Sequence, residues 1–257
     1  MKNNTILGLD LFDINLADTF VLHIPHASTK IPMFDHYIKN AQTLGNEITK
    51  LTDWATDEIF DIKNVSKVVA NFSRTFCDVE RFANDNLEPM AKFGRGFYYT
   101  KTDSGEDLRE DNEDHKKHIY DNYYLPHHNE LNSIVEDKLL LFDTCTIIDC
   151  HSFSDVPFDS DLIKDDNRPD ICIGTDDYHT PQHLIDWVSD YFKMLGYTVQ
   201  INNPYSGTIV NNNSYQKDTR VKSIMIEINR KLYMEGHNII DSKVELLNKQ
   251  ITDLLYN

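Results

Sequence analysis

The chain has 257 residues, of which 40% are hydrophobic and 26% charged, and its formal net charge is −17 at pH 7. That length and composition suit one substantial folded core rather than a disordered chain, and the acidic balance excludes the phosphate backbone of a nucleic acid as partner. With no apolar run near the ~18 residues of a membrane span, no secretion signal and no CxxC pair among Cys77, Cys145, Cys150 and Cys172, a cytoplasmic protein with reduced thiols is expected.

In chain order, apolar runs rich in β-branched residues predict strands near 19–24, 65–71, 145–150, 170–174, 197–201 and 223–228. Apolar residues at three- and four-residue spacing predict helices over 46–62, 113–141, 182–195 and 239–255, with Gly196 as the stop of the third. This alternation predicts an α/β fold: a single domain over 1–257 with a mainly parallel mixed sheet flanked by helices. Residues 84–111, which hold Gly94, Gly96 and Gly105 among charges and aromatics, read as a loop excursion over the sheet edge. The pattern carries no signal of oligomeric state.

Chemistry-bearing residues gather at the predicted strand ends. His26 follows the first strand in Pro25-His26-Ala27-Ser28, and His151 ends the third in Ile147-Ile148-Asp149-Cys150-His151-Ser152. Ligands in open α/β sheets collect beyond the carboxyl ends of strands, so two histidines there suit a mononuclear metal site, while His23 should point into packing. Zinc needs a third protein ligand. Asp53 is favoured, although a helix cap is its bland reading; Asp78 is the alternative, or the carboxylate that orients a ligand histidine.

Glu227 lies inside the apolar run Ser223 to Ile228, where burying an anion costs several kcal/mol unless it is paired or works as a general base. A solvent-facing edge strand, or a pair with Arg230, is the structural alternative. Arg74 and Arg81, just past the second strand, offer planar forks for a carboxylate, against the ordinary reading of surface ion pairs. His127 and His128 follow Pro126, and one of them, His128, is a candidate for oxyanion stabilisation. Asn202 and Tyr205 sit in the turn-rich stretch 202–208, whose polar groups could line a pocket.

Eight short motifs run in register: Ile24-Pro25-His26-Ala27, Thr52-Asp53-Trp54, Ser73-Arg74, Asp78-Val79-Glu80-Arg81, Pro126-His127-His128, Asp149-Cys150-His151-Ser152, Asn202 to Gly207, and Ile226-Glu227-Ile228 with Tyr233 beyond. Together they resemble the N-formylglutamate amidohydrolase family, over about residues 20–235. The resemblance implies a zinc-carboxypeptidase-like (phosphorylase/hydrolase-like) fold, Zn2+ or another divalent ion on His26 and His151, Glu227 as general base, and Arg81 as anchor of a substrate carboxylate. It implies hydrolysis of a small anionic amide at a non-peptide linear C–N bond, such as N-formyl-L-glutamate to glutamate and formate in histidine degradation. A γ-glutamyl or other peptide-like amide, and a non-catalytic binding role, are the alternatives. The chain departs from the family pattern at three places: Thr29 stands where the carboxypeptidases have a glutamate ligand, Glu80 where asparagine is expected, and Phe82 where proline is usual.

Overall fold

The computed structural model describes residues 5–6, 9–10 and 16–256. Its centre is a six-stranded sheet of β1 (Phe20–Ile24), β2 (Ser66–Val69), β3 (Cys145–Phe153), β4 (Ile171–Gly174), β5 (Val199–Ile201) and β6 (Val221–Asn229). The strand order is β2-β1-β3-β6-β4-β5. β2, β1, β3 and β6 run parallel, whereas β4 pairs antiparallel with β6 and carries β5 parallel to itself. The four parallel strands therefore deliver their C-terminal ends to one edge of the sheet.

Alternation of side chains divides the residues of these strands between two faces. On one face Leu22, Ile24, Ile148, Cys150, Ile224, Ile226 and Ile228 pack against α2 (Thr56–Ile59), α5 (Gln182–Met194) and α6 (Asp241–Tyr256). On the other, Val21, Val68, Cys145, Ile147 and Val221 pack on Leu131 and Val135 of α4 (Leu125–Phe142). Towards the strand ends this second face turns polar, with His23, Asp149, His151 and Glu227 in place of aliphatics. The replacement of Ile148 by alanine, in the fully buried central strand, is expected to destabilise the protein by about 2–5 kcal/mol, read from urea unfolding.

The helices differ from the expected boundaries where the site intervenes. The span 46–62 is two helices: α1 (Ala41–Leu51), capped by Asn40, and the single turn of α2, separated by Thr52 to Ala55 with Ala55 left-handed at φ 58°. The Asp53 amide donates to the His26 carbonyl across 3.0 Å, so the break stitches Asp53 to the loop after β1. The span 113–141 is α3 (Glu113–Ile119) and α4 joined by a π-turn over Tyr120–Tyr124. Such turns rotate the residues that follow and recur at functional sites; here His127 and His128 follow. β3 and β6 each run three residues longer than the apolar pattern suggests: β3 continues through His151, Ser152 and Phe153, and β6 gains Val221, Lys222 and Asn229, because all of these stay in the ladder between the two strands.

Residues 84–111 form an ordered excursion with isolated bridges Arg95–Tyr99, Lys101–Asp107 and Tyr37–Arg109. Tyr99, Leu108 and Arg109 of this segment are buried, and the guanidinium of Arg109 holds the carbonyls of Tyr99 and Phe76. Among the described residues no helix is long and apolar enough to cross a membrane.

Candidate active site

A cavity of about 460 Å3 lies over the C-terminal ends of β1, β3 and β6. His26 enters it from the loop after β1, His151 from within β3, and Asp53 from the break between α1 and α2. The Nδ1 atoms of His26 and His151 stand 3.3 Å apart. Asp53 Oδ2 lies 3.0 Å from the His151 Nδ1 and 3.6 Å from that of His26.

The far sides of both rings are tied to carboxylates. His26 Nε2 donates to Asp78 Oδ1 at 2.8 Å and His151 Nε2 to Asp149 Oδ1 at 3.1 Å. An ionised carboxylate only accepts, so each Nε2 keeps its proton; each Nδ1 then either carries a second proton towards Asp53 or, with a metal ion in its place, offers that ion a lone pair. Two lone pairs and a carboxylate facing one another repel unless positive charge lies between them. Donors at about 2.0–2.1 Å around a tetrahedral ion stand about 3.3 Å apart, close to the three separations here. The donor set therefore fits zinc or a similar divalent ion.

Without an ion His151 is held protonated, well above the ordinary histidine range: burial opposes the charge, but the carboxylates of Glu80, Asp149 and Asp53 outweigh it, and the same negative surroundings would favour a metal cation in the proton's place. Asp53 is held well below the usual carboxylate range against its burial, by His151, His26 and Arg230. Asp78 is likewise depressed against burial by Arg74, His26 and Arg81, and it also accepts a 2.7 Å hydrogen bond from Tyr99. The geometry puts Asp78 behind His26, on its Nε2 side, and Asp53 in front.

Glu227 projects from β6, a central strand, and is only 7% exposed, so the edge-strand alternative does not apply. Nor does Arg230 pair with it. Arg230 Nη2 instead bonds Asp53 Oδ1 at 2.9 Å and the Ser152 carbonyl at 3.1 Å, while Nη1 holds the Lys50 carbonyl at 3.1 Å. Burial pushes the Glu227 carboxyl up to about 8, and its Oε2 has no hydrogen-bond partner. His128, buried and lining the same cavity, makes no close hydrogen bond at either ring nitrogen, its nearest polar neighbour being the Val79 backbone, and burial lowers it to about 4. Buried polar atoms are bonded as a rule. Glu227 and His128 thus bring uncommitted polar atoms to the same cavity.

Arg74 grips Asp78 through Nε at 3.2 Å and Nη2 at 3.0 Å. Arg81 lines the cavity; its Nε has no hydrogen-bond partner among the described residues and stands in an ion pair 3.5 Å from Asp78 Oδ2. Tyr205 presents its ring to the cavity while its hydroxyl is engaged by Asp161 and Arg168. Asn202 is not among the cavity-lining residues: left-handed at φ 55°, it uses its side chain to hold Thr175.

Sequence reasoning offered Arg230 only as an alternative partner of Glu227, which the structure does not show, and gave no role to the chain Asp149–His23–His127. Asp149 Oδ1 accepts from His23 Nδ1 at 2.9 Å as well as from His151, and His23 Nε2 meets His127 Nε2 at 2.9 Å. His23 is buried as expected, but among polar groups. The available signal was period two: His23, Asp149, His151 and Glu227 all fall on the same face.

A family model described as N-formylglutamate amidohydrolase matches residues 18–234. A comparison with curated proteins finds no match. Among solved structures, the chain superposes on an N-formylglutamate amidohydrolase from Ralstonia eutropha with a TM-score of 0.75 at 22% identity, covering 93% of this chain and 91% of that one. It also superposes on a gene product of Agrobacterium tumefaciens with a TM-score of 0.65 at 18% identity, covering 92% and 88% of the two chains. At these identities the structures establish the shared α/β fold, and the family match spans most of the chain, from the 3-10 turn before β1 to just past β6. The chain thus belongs to the N-formylglutamate amidohydrolase family of amide-hydrolysing enzymes.

Proposed function

We propose that the protein is a metal-dependent amidohydrolase, zinc being the expected ion, which cleaves a small N-acyl amino acid such as N-formyl-L-glutamate at a linear, non-peptide C–N bond. The observation that carries this reading is the convergence of two imidazole Nδ1 atoms and one carboxylate beside a buried glutamate with an unpartnered oxygen. His26, His151 and Asp53 would hold the ion, which when bound polarises a carbonyl and makes water more acidic.

Glu227 is assigned as general base. Its raised affinity for protons suits it to take one from the attacking water at the unpartnered Oε2 and to pass it to the departing nitrogen. His128 is neutral at working pH, so one ring nitrogen carries a hydrogen that it can donate to the oxyanion. Arg81, with Arg74 beside it, offers the substrate carboxylate a guanidinium fork. Asp78 and Asp149 fix the tautomers of His26 and His151, the usual task of carboxylates behind metal-binding histidines. The place in histidine degradation implied by the family rests on glutamate being a product, and a cytoplasmic site is in keeping with four buried, free cysteines.

The test is amino-acid release from a panel of N-formyl amino acids by zinc-loaded protein, with a chelated control. Metal-dependent release from at least one member is expected, and none from any member would end this reading. Arg230→Met, which frees Asp53 to rotate, is expected to weaken metal affinity by about 10–100-fold in a chelator competition while the protein stays folded.

A further inference from the structure

Glu80 is an acidic side chain of the cavity that stands near the two histidines, close enough to join a metal group with His26 and His151, yet is not needed to orient either ring. It lines the cavity from the turn after Asp78, with its side chain 15% exposed. Its Oε2 lies 3.2 Å from His151 Nε2. That nitrogen has a single hydrogen, which Asp149 Oδ1 already receives at 3.1 Å. Asp149 is fully buried and anchored by His23 and by the Ile209 amide, so it orients His151 without help. A carboxylate oxygen of Glu80 also comes within 4.8 Å of ring nitrogens of both His26 and His151. Its near contact, however, is on the Nε2 side of His151, away from the facing Nδ1 pair.

The cations of the cavity are mostly taken. Arg74 is held by Asp78 and Arg230 by Asp53. Arg95, the other guanidinium in the lining besides Arg81, is bonded to Asp103 and to Ser160. That leaves Arg81, paired with Asp78 only at 3.5 Å through a Nε that makes no hydrogen bond, as the least committed guanidinium for an anion. One such fork accommodates one carboxylate. A second substrate carboxylate would meet the carboxylate of Glu80, the residue next to Arg81 in the chain, inside a half-enclosed cavity where like charges repel more than in bulk water.

We propose that Glu80 is a specificity residue that selects N-acyl amino acids with a single carboxylate and a neutral or cationic side chain, and disfavours dicarboxylic ones. This rests on the amidohydrolase reading above and narrows its substrate class to monocarboxylic N-acyl amino acids, moving it away from N-formyl-L-glutamate itself. Within that class Arg81 grips the α-carboxylate, and Glu80 accepts a hydrogen bond from a side-chain amide or cation.

N-formyl-L-glutamine and N-formyl-L-glutamate separate the possibilities, since they differ by one charge at nearly constant shape. Zinc-loaded wild-type protein is expected to show a KM about tenfold lower for the glutamine compound, an effect of the size of one like-charge contact in a wet cleft. Glu80→Gln and Glu80→Asn are expected to erase or invert that ratio, with the change in KM rather than kcat. Calorimetric Kd values for both compounds on the non-cleaving Glu227→Gln protein supply a readout independent of turnover. A wild-type preference for N-formyl-L-glutamate that neither variant alters would overturn the proposal. So would loss of bound metal in the Glu80 variants, which would make Glu80 a ligand. If no N-formyl compound is cleaved but the binding preference and its reversal are seen, the fault lies with the amidohydrolase reading alone; binding of neither compound overturns the proposal as well.

Discussion

Glu227→Gln is expected to lower kcat by about two to four orders of magnitude while leaving one metal ion bound per chain. The amide keeps the size of the carboxylate and its place in the β6 ladder, so His151, its register partner on β3, stays where it is. What disappears is the ability to accept a proton at the position where Oε2 has no partner. Metal analysis and steady-state kinetics together check this, and normal turnover in the variant would remove the general-base assignment. The same residue sets a pH dependence. A base works ionised, so kcat/KM should fall as pH drops through the Glu227 carboxyl, at or below about 8, since a divalent ion nearby would pull it lower. Stability runs the other way. A carboxyl raised in the folded state stabilises the fold while it stays protonated, and that contribution is lost as pH rises through about 8. In chelator at pH 9, Glu227→Gln should therefore unfold at a higher temperature than wild type.

Strands and most helices were legible because their faces are buried and repeat at period 2 or 3.6. What was not legible is where polar residues stay in a regular element. The apolar run of β3 stops at Cys150, yet the strand continues through His151, Ser152 and Phe153 because its ladder to β6 persists. The α1–α2 break depends on a left-handed Ala55, a residue with no propensity for that conformation, held there by the tertiary bond between the Asp53 amide and the His26 carbonyl. Arg230 looked like a partner of Glu227 because the two are close in sequence, but β-strand geometry sends the arginine past the strand end to Asp53, 177 residues earlier. His26, Asp53, His151, Glu227, Arg74, Arg81 and His128 could be proposed from sequence because each breaks a local pattern. Their convergence needed the parallel sheet.

Asp53→Ala and Asp78→Asn should separate the two candidate carboxylates by metal content. Asp53 Oδ2 faces both Nδ1 atoms at 3.0 and 3.6 Å, so its removal leaves two imidazoles with no carboxylate between them, Glu80 being the nearest remaining acid. A divalent ion should then bind about a thousandfold more weakly, since a two-nitrogen site neither neutralises its charge nor fills three positions around it. Asp78 stands behind His26, accepting from Nε2 at 2.8 Å, and also holds Arg74 and Tyr99. Asparagine keeps an acceptor for His26 but surrenders the charge that fixes the arginines, so metal affinity should fall by about 10–100-fold at most while KM rises. Asparagine is preferred to alanine because an unpaired buried Arg74 would cost about 3–5 kcal/mol of stability and blur the comparison. Metal retained in Asp53→Ala and lost in Asp78→Asn would reverse the assignment and make the Nε2 side of His26 the metal-facing one.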